Sequence, residues 1–298
     1  MKSKEQTAVL LFFIDGLGIG IGGEHNPLAR IENIEPLAHF KNERSKIIFD
    51  GVLIPTDARL GIEGRPQSAS GQTTILTGVN APQHLGVHKQ GFPNQALRNL
   101  IAEHSIFLQL KRKNIEPNIF TNAYTPKFFT EKPRWKSATT CAVEAADLLF
   151  RKLSDLLGRK ALFHDFTNKS LAEMNFDVPL LSPADAGEIL AELTAIHRFT
   201  LYEYFITDKI GHAQSFEKAE IYLPQLAAFV RETLRRIDLE TTTVILTSDH
   251  GNIEDLSIRT HTLNDVPTIV WGRRQHEISH KIKDLSDITP TILSLLSD

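Results

Sequence analysis

TVILTSDHGN, Thr243 to Asn252, decides how this chain is read. Val244, Ile245, Leu246 and Thr247 form an apolar, β-branched run that predicts a buried strand. The run stops abruptly at Asp249-His250-Gly251-Asn252, a cluster suited to the loop leaving a strand's C-terminal end. In open α/β sheets ligands sit in the crevice outside that end. A carboxylate beside an imidazole there offers one hard oxygen and one borderline nitrogen, a ready pair of metal ligands. Asp, Gly and Asn also favour ordinary turns, so this stretch taken alone fits a plain turn equally well.

Two further apolar runs end the same way. Ala8 to Ile14 stops at Asp15-Gly16-Leu17-Gly18. The glycines give G-x-G spacings, but no G-x-x-x-x-G-K-[ST] is present and no helical pattern follows directly, so the segment reads as a tight turn presenting Asp15. Phe199 to Ile206 breaks into Thr207-Asp208-Lys209-Ile210-Gly211-His212. In a parallel sheet these strand ends share one edge, and three carboxylates gathered there repel unless cations sit among them. Histidines stand at useful places. His212 lies four residues after Asp208, on the same face if that turn is helical. His250 adjoins Asp249, and His261 lies in the polar loop before the strand Pro267 to Trp271. The other nine histidines lack this context, although His84 and His88 have ligand-like spacing.

Strands alternate with helices along most of the chain, which predicts an α/β fold: a mainly parallel sheet sandwiched by helices in three layers. Helices are expected over Leu97–Lys113, Ser137–Leu157, from Ser182-Pro183 to about His197, over Ser215–Arg236, and from Thr289-Pro290 onward. Pro117 to Ala123 reads as a short strand, and Ala161 to Phe166 as a strand or loop. Residues 21–64 read as loops with one or two short helices. The whole of 1–298 is expected to be one domain, with a small insert or reduced cap within 97–195.

Composition narrows the function classes. The chain has 298 residues, 33 basic against 36 acidic, and a net charge of −3, so nothing draws it to nucleic acid or an anionic membrane. The single cysteine, Cys141, excludes an intrachain disulfide and a thiolate zinc cluster. One cysteine fits a reducing compartment, and the apolar run after Lys2 and Lys4 is too short for a membrane span and has no cleavage-site pattern. A cytoplasmic protein is expected. The sequence carries no signal for oligomeric state.

Gln67-Ser68-Ala69-Ser70-Gly71-Gln72 leads into a helix-like segment that ends at Gly78, a good C-cap. Ser68 then lies at a helix N-terminus, where free N–H groups and the macrodipole favour an alkoxide and an incoming phosphate. Local sequence alone favours a plain N-cap role for Ser68 or Ser70. Three Asp, three His and one hydroxyl suffice for two divalent ions about 3.5–4 Å apart, able to clamp the attacking and leaving oxygens of an in-line displacement.

The pieces IDGLG (Ile14–Gly18), QSASGQTTILTG (Gln67–Gly78), TDKIGH (Thr207–His212), TSDHGN (Thr247–Asn252) with THT (Thr260–Thr262), VPTIVWG (Val266–Gly272) and DITPTILSLL (Asp287–Leu296) together resemble the alkaline phosphatase superfamily. The resemblance is to the metalloenzyme branch that contains cofactor-independent phosphoglycerate mutase and phosphopentomutase. It implies an alkaline-phosphatase-like core. It also implies one metal held by Asp208, His212 and His261, and a second held by Asp15, Asp249, His250 and the Ser68 oxygen. Ser68 would attack phosphorus, become a phosphoserine, and pass the phosphoryl group to water or a second hydroxyl. Ser68 is preferred because it lies ten residues before the end of its segment, a spacing similar to the mutases' serine.

The departures from that branch shape the expected function. The mutases carry N-S-E-V-G-H where this chain has Q-S-A-S-G-Q, and a large basic cap for which about a hundred residues at most are available. A two-metal phosphatase or phosphodiesterase acting on a small-molecule phosphate ester is therefore expected first. A mutase with a reduced cap, or a non-catalytic metal-binding protein, is the alternative. Arg65, Lys209 and Arg259 lie beside the site motifs as candidate contacts to a substrate anion. Asp/His sites without cysteine suit manganese or zinc, and iron also.

Overall fold

The computed structural model describes residues 7–41, 43, 47–131 and 134–297; Lys2 and Lys4 lie outside them. Eight strands occur among the described residues: β1 (Ala8–Ile14), β2 (Val52–Thr56), β3 (Asn118–Phe120), β4 (Ala123–Tyr124), β5 (Arg151–Lys152), β6 (Phe199–Tyr204), β7 (Thr242–Thr247) and β8 (Val266–Trp271). Six of them form one sheet in the order β2-β8-β7-β1-β6-β3. β1 pairs in parallel with both β6 and β7, and β3 in parallel with β6. β8 runs antiparallel to β7 and β2 antiparallel to β8. No helix lies between β7 and β8, so the chain has no crossover to bring β8 back in parallel.

β1 explains the layering. Its seven residues are all buried, as a central strand covered on both faces must be. Val9, Leu11 and Phe13 point to one side and Leu10, Phe12 and Ile14 to the other, following the two-residue period of a strand. On the first side the core is completed by helices Ser68–Thr77, Gln95–His104, Ile106–Arg112, Ala138–Ala145 and Ile288–Ser297. On the second it is completed by Pro183–Ala195 and Phe216–Arg236. Each fully buried Leu, Ile or Phe contributes roughly 1.5–3 kcal/mol of transfer free energy, so the sheet's two faces hold the sandwich together. No described helix is long and apolar enough to cross a membrane.

Several expected elements are corrected. The helix expected over 97–113 is two helices broken at Ser105, whose hydroxyl donates to Ala142 O at 2.8 Å. The long helix expected over 137–157 ends at Ala145; β5 and the short helix Leu153–Leu157 follow. Leu149 and Leu157, which suggested an apolar face, are 79% and 56% exposed, and Asp147 adopts a left-handed turn with φ of 54°. Residues 21–64 contain β2, hidden by Pro55. An edge strand tolerates proline, and β2 is an edge. The strand expected over 117–123 falls into β3 and β4, and 161–166 is a loop joined to them at Ala123 N–Leu162 O, 2.7 Å. Within 97–195, β3 belongs to the main sheet. Ala123, Leu156, Ala161, Phe163 and Leu171 form a small core of their own beside the β4–β5 pair.

Candidate metal centre

β1, β6 and β7 are parallel neighbours, so their C-terminal ends open on one rim. Asp15 follows β1 directly, Asp249 follows β7 by two residues, and Asp208 sits in the helix Ile206–Ala213 that leaves β6. That helix places His212 one turn after Asp208, as the spacing predicted. Two glycines permit the crowding. Gly16 has φ of 77°, and a Cβ there would lie 2.9 Å from Asp208 Cα. A Cβ on Gly71 would lie 2.9 Å from Asp249 O.

Asp208, His212 and His261 form one group whose potential ligand atoms lie within 4.8 Å of one another, and Asp15, Asp208 and His250 form a second. Asp208 belongs to both. His212 Nε2 is 3.4 Å from Asp208 Oδ2, and His261 Nε2 is 3.5 Å from Asp208 Oδ1. His250 Nε2 lies 3.3 Å from Asp15 Oδ1, 3.4 Å from Asp249 Oδ2 and 2.9 Å from Ser68 Oγ. Asp249 thus sits at the edge of the second group, where its other oxygen accepts from Gly16 N at 3.4 Å.

The ring orientations carry chemical information. His212 Nδ1 meets Arg259 O at 2.8 Å, and His261 Nδ1 meets Pro66 O at 2.8 Å. A carbonyl oxygen only accepts, so each Nδ1 holds a proton, and in its neutral form each ring turns a bare Nε2 lone pair inward. The two Nε2 atoms are 3.1 Å apart. Two lone pairs that close, beside a carboxylate, call for a positive centre among them. Histidines that ligate metals are held from behind in this way.

Electrostatics point in the same direction. Burial, then the charges of Asp249 and Asp208, raise Asp15 well above the usual carboxylate range. Burial and Asp208 push Asp249 up to about 7. Burial and neighbouring His261 bring the His250 imidazole down to about 3. Asp208 goes the other way: burial works to raise it, but His261, His250, Asn252 and His212 together hold it at about 2. Asp15 Oδ1 is buried with no hydrogen-bond partner. Buried carboxylates that repel, an orphaned carboxylate oxygen and inward imidazole lone pairs fit divalent ions, and the O/N donor set suits manganese or zinc.

Ser68 is the first residue of the Ser68–Thr77 helix, and Gln67 holds the cap position without a side-chain cap bond. Ser68 therefore is not an N-cap. Ser70 is occupied elsewhere: its hydroxyl donates to Gln67 O and accepts from Lys89 N, and its own N–H donates to Lys89 O. That last bond removes one of the amides expected to be free at the helix start. Among the candidate anion contacts, Arg65 donates to His261 O at 2.8 Å and so braces a site histidine. Lys209 lies over the Phe205 ring at 4.4 Å, on the wall of a cavity that also includes Ser68 and Asp208. Arg259 is exposed and meets the site through its carbonyl. His84 and His88 belong to neither ligand group; His84 is exposed and His88 contacts Ile62 O.

Four supporting residues escaped the sequence reading. Gln72 Nε2 donates to Asp15 Oδ2 at 3.1 Å and to Asp249 Oδ2 at 3.2 Å, bridging two of the acids. Its position four residues after Ser68, on the same helix face, was the available signal. Asn252 Nδ2 donates to Asp208 Oδ1 at 2.6 Å. Thr207 Oγ1 donates to Asp15 O. Glu254, buried, accepts from Gly18 N, Asn252 N, Thr262 Oγ1 and Asn264 Nδ2, and so ties together the loops that carry Asp15, His250 and His261.

The metalloenzyme superfamily matches residues 7–297, nearly the whole chain. The chain belongs to the metalloenzyme superfamily. Within known sequences it is similar to a 2,3-bisphosphoglycerate-independent phosphoglycerate mutase of Antithamnion sp., 29% identical over 110 residues. That match covers 34% of this chain and 22% of the relative, so the superfamily member described here aligns with only about a fifth of that mutase. Two solved structures show the same alkaline-phosphatase-like fold. One is a cold-active alkaline phosphatase from psychrophile Shewanella sp., with TM-score 0.53, 11% identity, and coverage of 97% of this chain and 99% of that one. The other is the PH0037 protein from Pyrococcus horikoshii, with TM-score 0.52, 13% identity, and coverage of 98% and 97%.

Proposed function

We propose that this protein is a two-metal phosphoryl-transfer enzyme of the phosphatase or phosphodiesterase type, with Ser68 as nucleophile. The observation that carries the reading is the arrangement around Asp208. The imidazoles of His212 and His261 form one ligand group with it, and Asp15 and His250 form another, with Ser68 Oγ 2.9 Å from His250 Nε2. One ion would be held by Asp208, His212 and His261, the other by Asp15, Asp249, His250 and the Ser68 oxygen.

Divalent ions bound there offset the carboxylate charge and lower the pKa of a neighbouring hydroxyl, so that it ionises near neutral pH. Ser68 Oγ forms a bond to phosphorus as the ester P–O bond breaks, and the bonding pair leaves with the alcohol oxygen, which takes up a proton. Water then attacks the phosphoserine and releases phosphate, restoring the Ser68 hydroxyl. Gln72 and Asn252 hold the carboxylates in place, and the start of the Ser68–Thr77 helix faces the phosphate with its positive dipole end. The small unit around β4 and β5 serves as a reduced cap beside this rim.

The test is a phosphate-ester panel assayed with Mn²⁺ and with Zn²⁺, for the native chain and for Ser68→Ala. The proposal requires metal-dependent hydrolysis of a phosphate mono- or diester that Ser68→Ala abolishes. The similarity to phosphoglycerate mutases favours a second reading, a mutase with a reduced cap. That reading predicts phosphate moved within one substrate and none set free. A metal-loaded protein with no activity toward any ester would leave a binding protein.

A further inference from the structure

A cavity of about 510 Å³ opens onto the nucleophile: Ser68, Asp15, Gln72 and Asp208 form part of its lining. Aromatic rings make up about half of the remaining lining, with Asn122, Thr125, Ser137 and Thr140 among the rest. Tyr124 packs on Phe128 with ring centroids 4.3 Å apart and on Phe150 at 4.9 Å. His164 packs between Phe163 at 4.2 Å and Phe205 at 4.4 Å. Phe92 and Phe120 add to the walls. Among the described residues, Lys209 is the one lysine or arginine in the lining, and its ammonium is over the Phe205 ring. The hydroxyls of Tyr124, Ser137 and Thr140 bond among themselves and the Asn122 side chain is taken by the Glu203 backbone, which leaves few polar groups to meet the hydroxyls and carboxylate of a phosphorylated polyol or hydroxy acid.

One carboxyl in the cavity has no place in the phosphoryl-transfer steps. Glu203, on β6, is only 7% exposed. Its backbone is fixed on both sides by Asn122, which accepts from Glu203 N at 3.1 Å and donates to Glu203 O at 2.7 Å. No described lysine, arginine or histidine forms an ion pair with it. Burial pushes it up to about 7, with Thr139 alone working against the rise. A buried carboxyl without a cationic partner keeps its proton, and a ligand that brings an ammonium or N–H donor restores its charge and pairs with it; aromatic walls suit such a donor on an apolar body.

We propose that this cavity receives the alcohol portion of the ester, and that this portion is an apolar, ring-sized group bearing an amino donor that reaches Glu203. The inference rests on the phosphoryl-transfer reading and adds its substrate class. Phe128, Tyr124 and Phe205 set the preference for a ring, and Glu203 sets the preference for the donor.

The experiment compares kcat/KM of the metal-loaded protein for benzyl phosphate and glycerol 2-phosphate, whose alcohols are of comparable acidity. It then compares 4-(aminomethyl)benzyl phosphate with 4-methylbenzyl phosphate. Benzyl phosphate is expected to be preferred by about tenfold or more, and the amino group to add a further gain. Phe128→Ala should collapse the benzyl-to-glycerol ratio, and Phe128→Tyr should retain it. Glu203→Gln should erase the advantage of the amino ester over the methyl ester, with metal content as the check on folding. Equal or better turnover of glycerol 2-phosphate overturns this inference and leaves the underlying reading standing. No turnover of any ester, with metal bound, sinks the underlying reading instead. A Glu203→Gln protein that slows both benzyl esters alike removes Glu203 from the recognition of the substrate.

Discussion

His212 Nε2 and His261 Nε2 face each other across 3.1 Å, each ring pinned from behind by a main-chain carbonyl. Neither carbonyl can give a proton, and in the proposed function this pair would share a cation with Asp208. The His212 side chain is 47% exposed, and its replacement leaves the core untouched. His212→Ala is therefore expected to fold with a near-native melting temperature while losing one of the two bound ions, its metal affinity falling by more than about tenfold. Calorimetric titration with Zn²⁺ or Mn²⁺ measures this directly.

If Ser68 is the nucleophile as proposed, Ser68→Ala lowers kcat on the best phosphate ester by about three orders of magnitude or more, because nucleophile and support act as a unit. Its metal content should stay close to that of the native chain, since the Asp and His ligands remain. Intact-mass analysis after substrate addition should find a phosphorylated chain in the native protein and none in the variant.

Gln72 donates to Asp15 and Asp249 from a single amide, at 3.1 and 3.2 Å. Gln72→Leu leaves those buried carboxylates without their shared donor, and the metal-free protein should lose about 1–3 kcal/mol of stability. Metal affinity should fall about 10–100-fold, as for other groups that orient ligands. Chemical denaturation with and without chelator separates the two effects.

Metal binding should depend on pH in a defined direction. Asp249 is held up at about 7 in the metal-free fold by burial and by Asp208. A carboxyl raised in this way keeps its proton below about 7, and an incoming ion must displace that proton. Affinity for Zn²⁺ is thus expected to climb between pH 5 and about pH 8, with proton release on binding. Titrations in buffers of different ionisation enthalpy measure that release; none at pH 6 would count against the assignment of Asp249.

The parts of the site that could be read from sequence are those where a local pattern and a chemical type coincide. Asp15 and Asp249 each end an apolar run, and Asp208 and His212 share a helical face. Ser68, chosen by a spacing similar to the mutases' serine, is found at the first position of its helix. Gln72 was not legible, because its partners lie 57 and 177 residues away and an amide on a helix has no pattern of its own. β2 was lost because Pro55 resembles loop unless the strand is known to be an edge. The helix expected over 137–157 failed for the opposite reason: Leu149 and Leu157 have the right spacing and face solvent. The cavity draws on residues from Asp15 to Lys209, and only the folded chain brings them together.

The measurement that bears most directly on the central claim is the metal content of the purified chain by elemental analysis, before and after dialysis against Mn²⁺ or Zn²⁺. Two divalent ions per chain are predicted, one for each ligand group meeting at Asp208. A chain that stays metal-free after reconstitution, with no rise in melting temperature, would contradict the account.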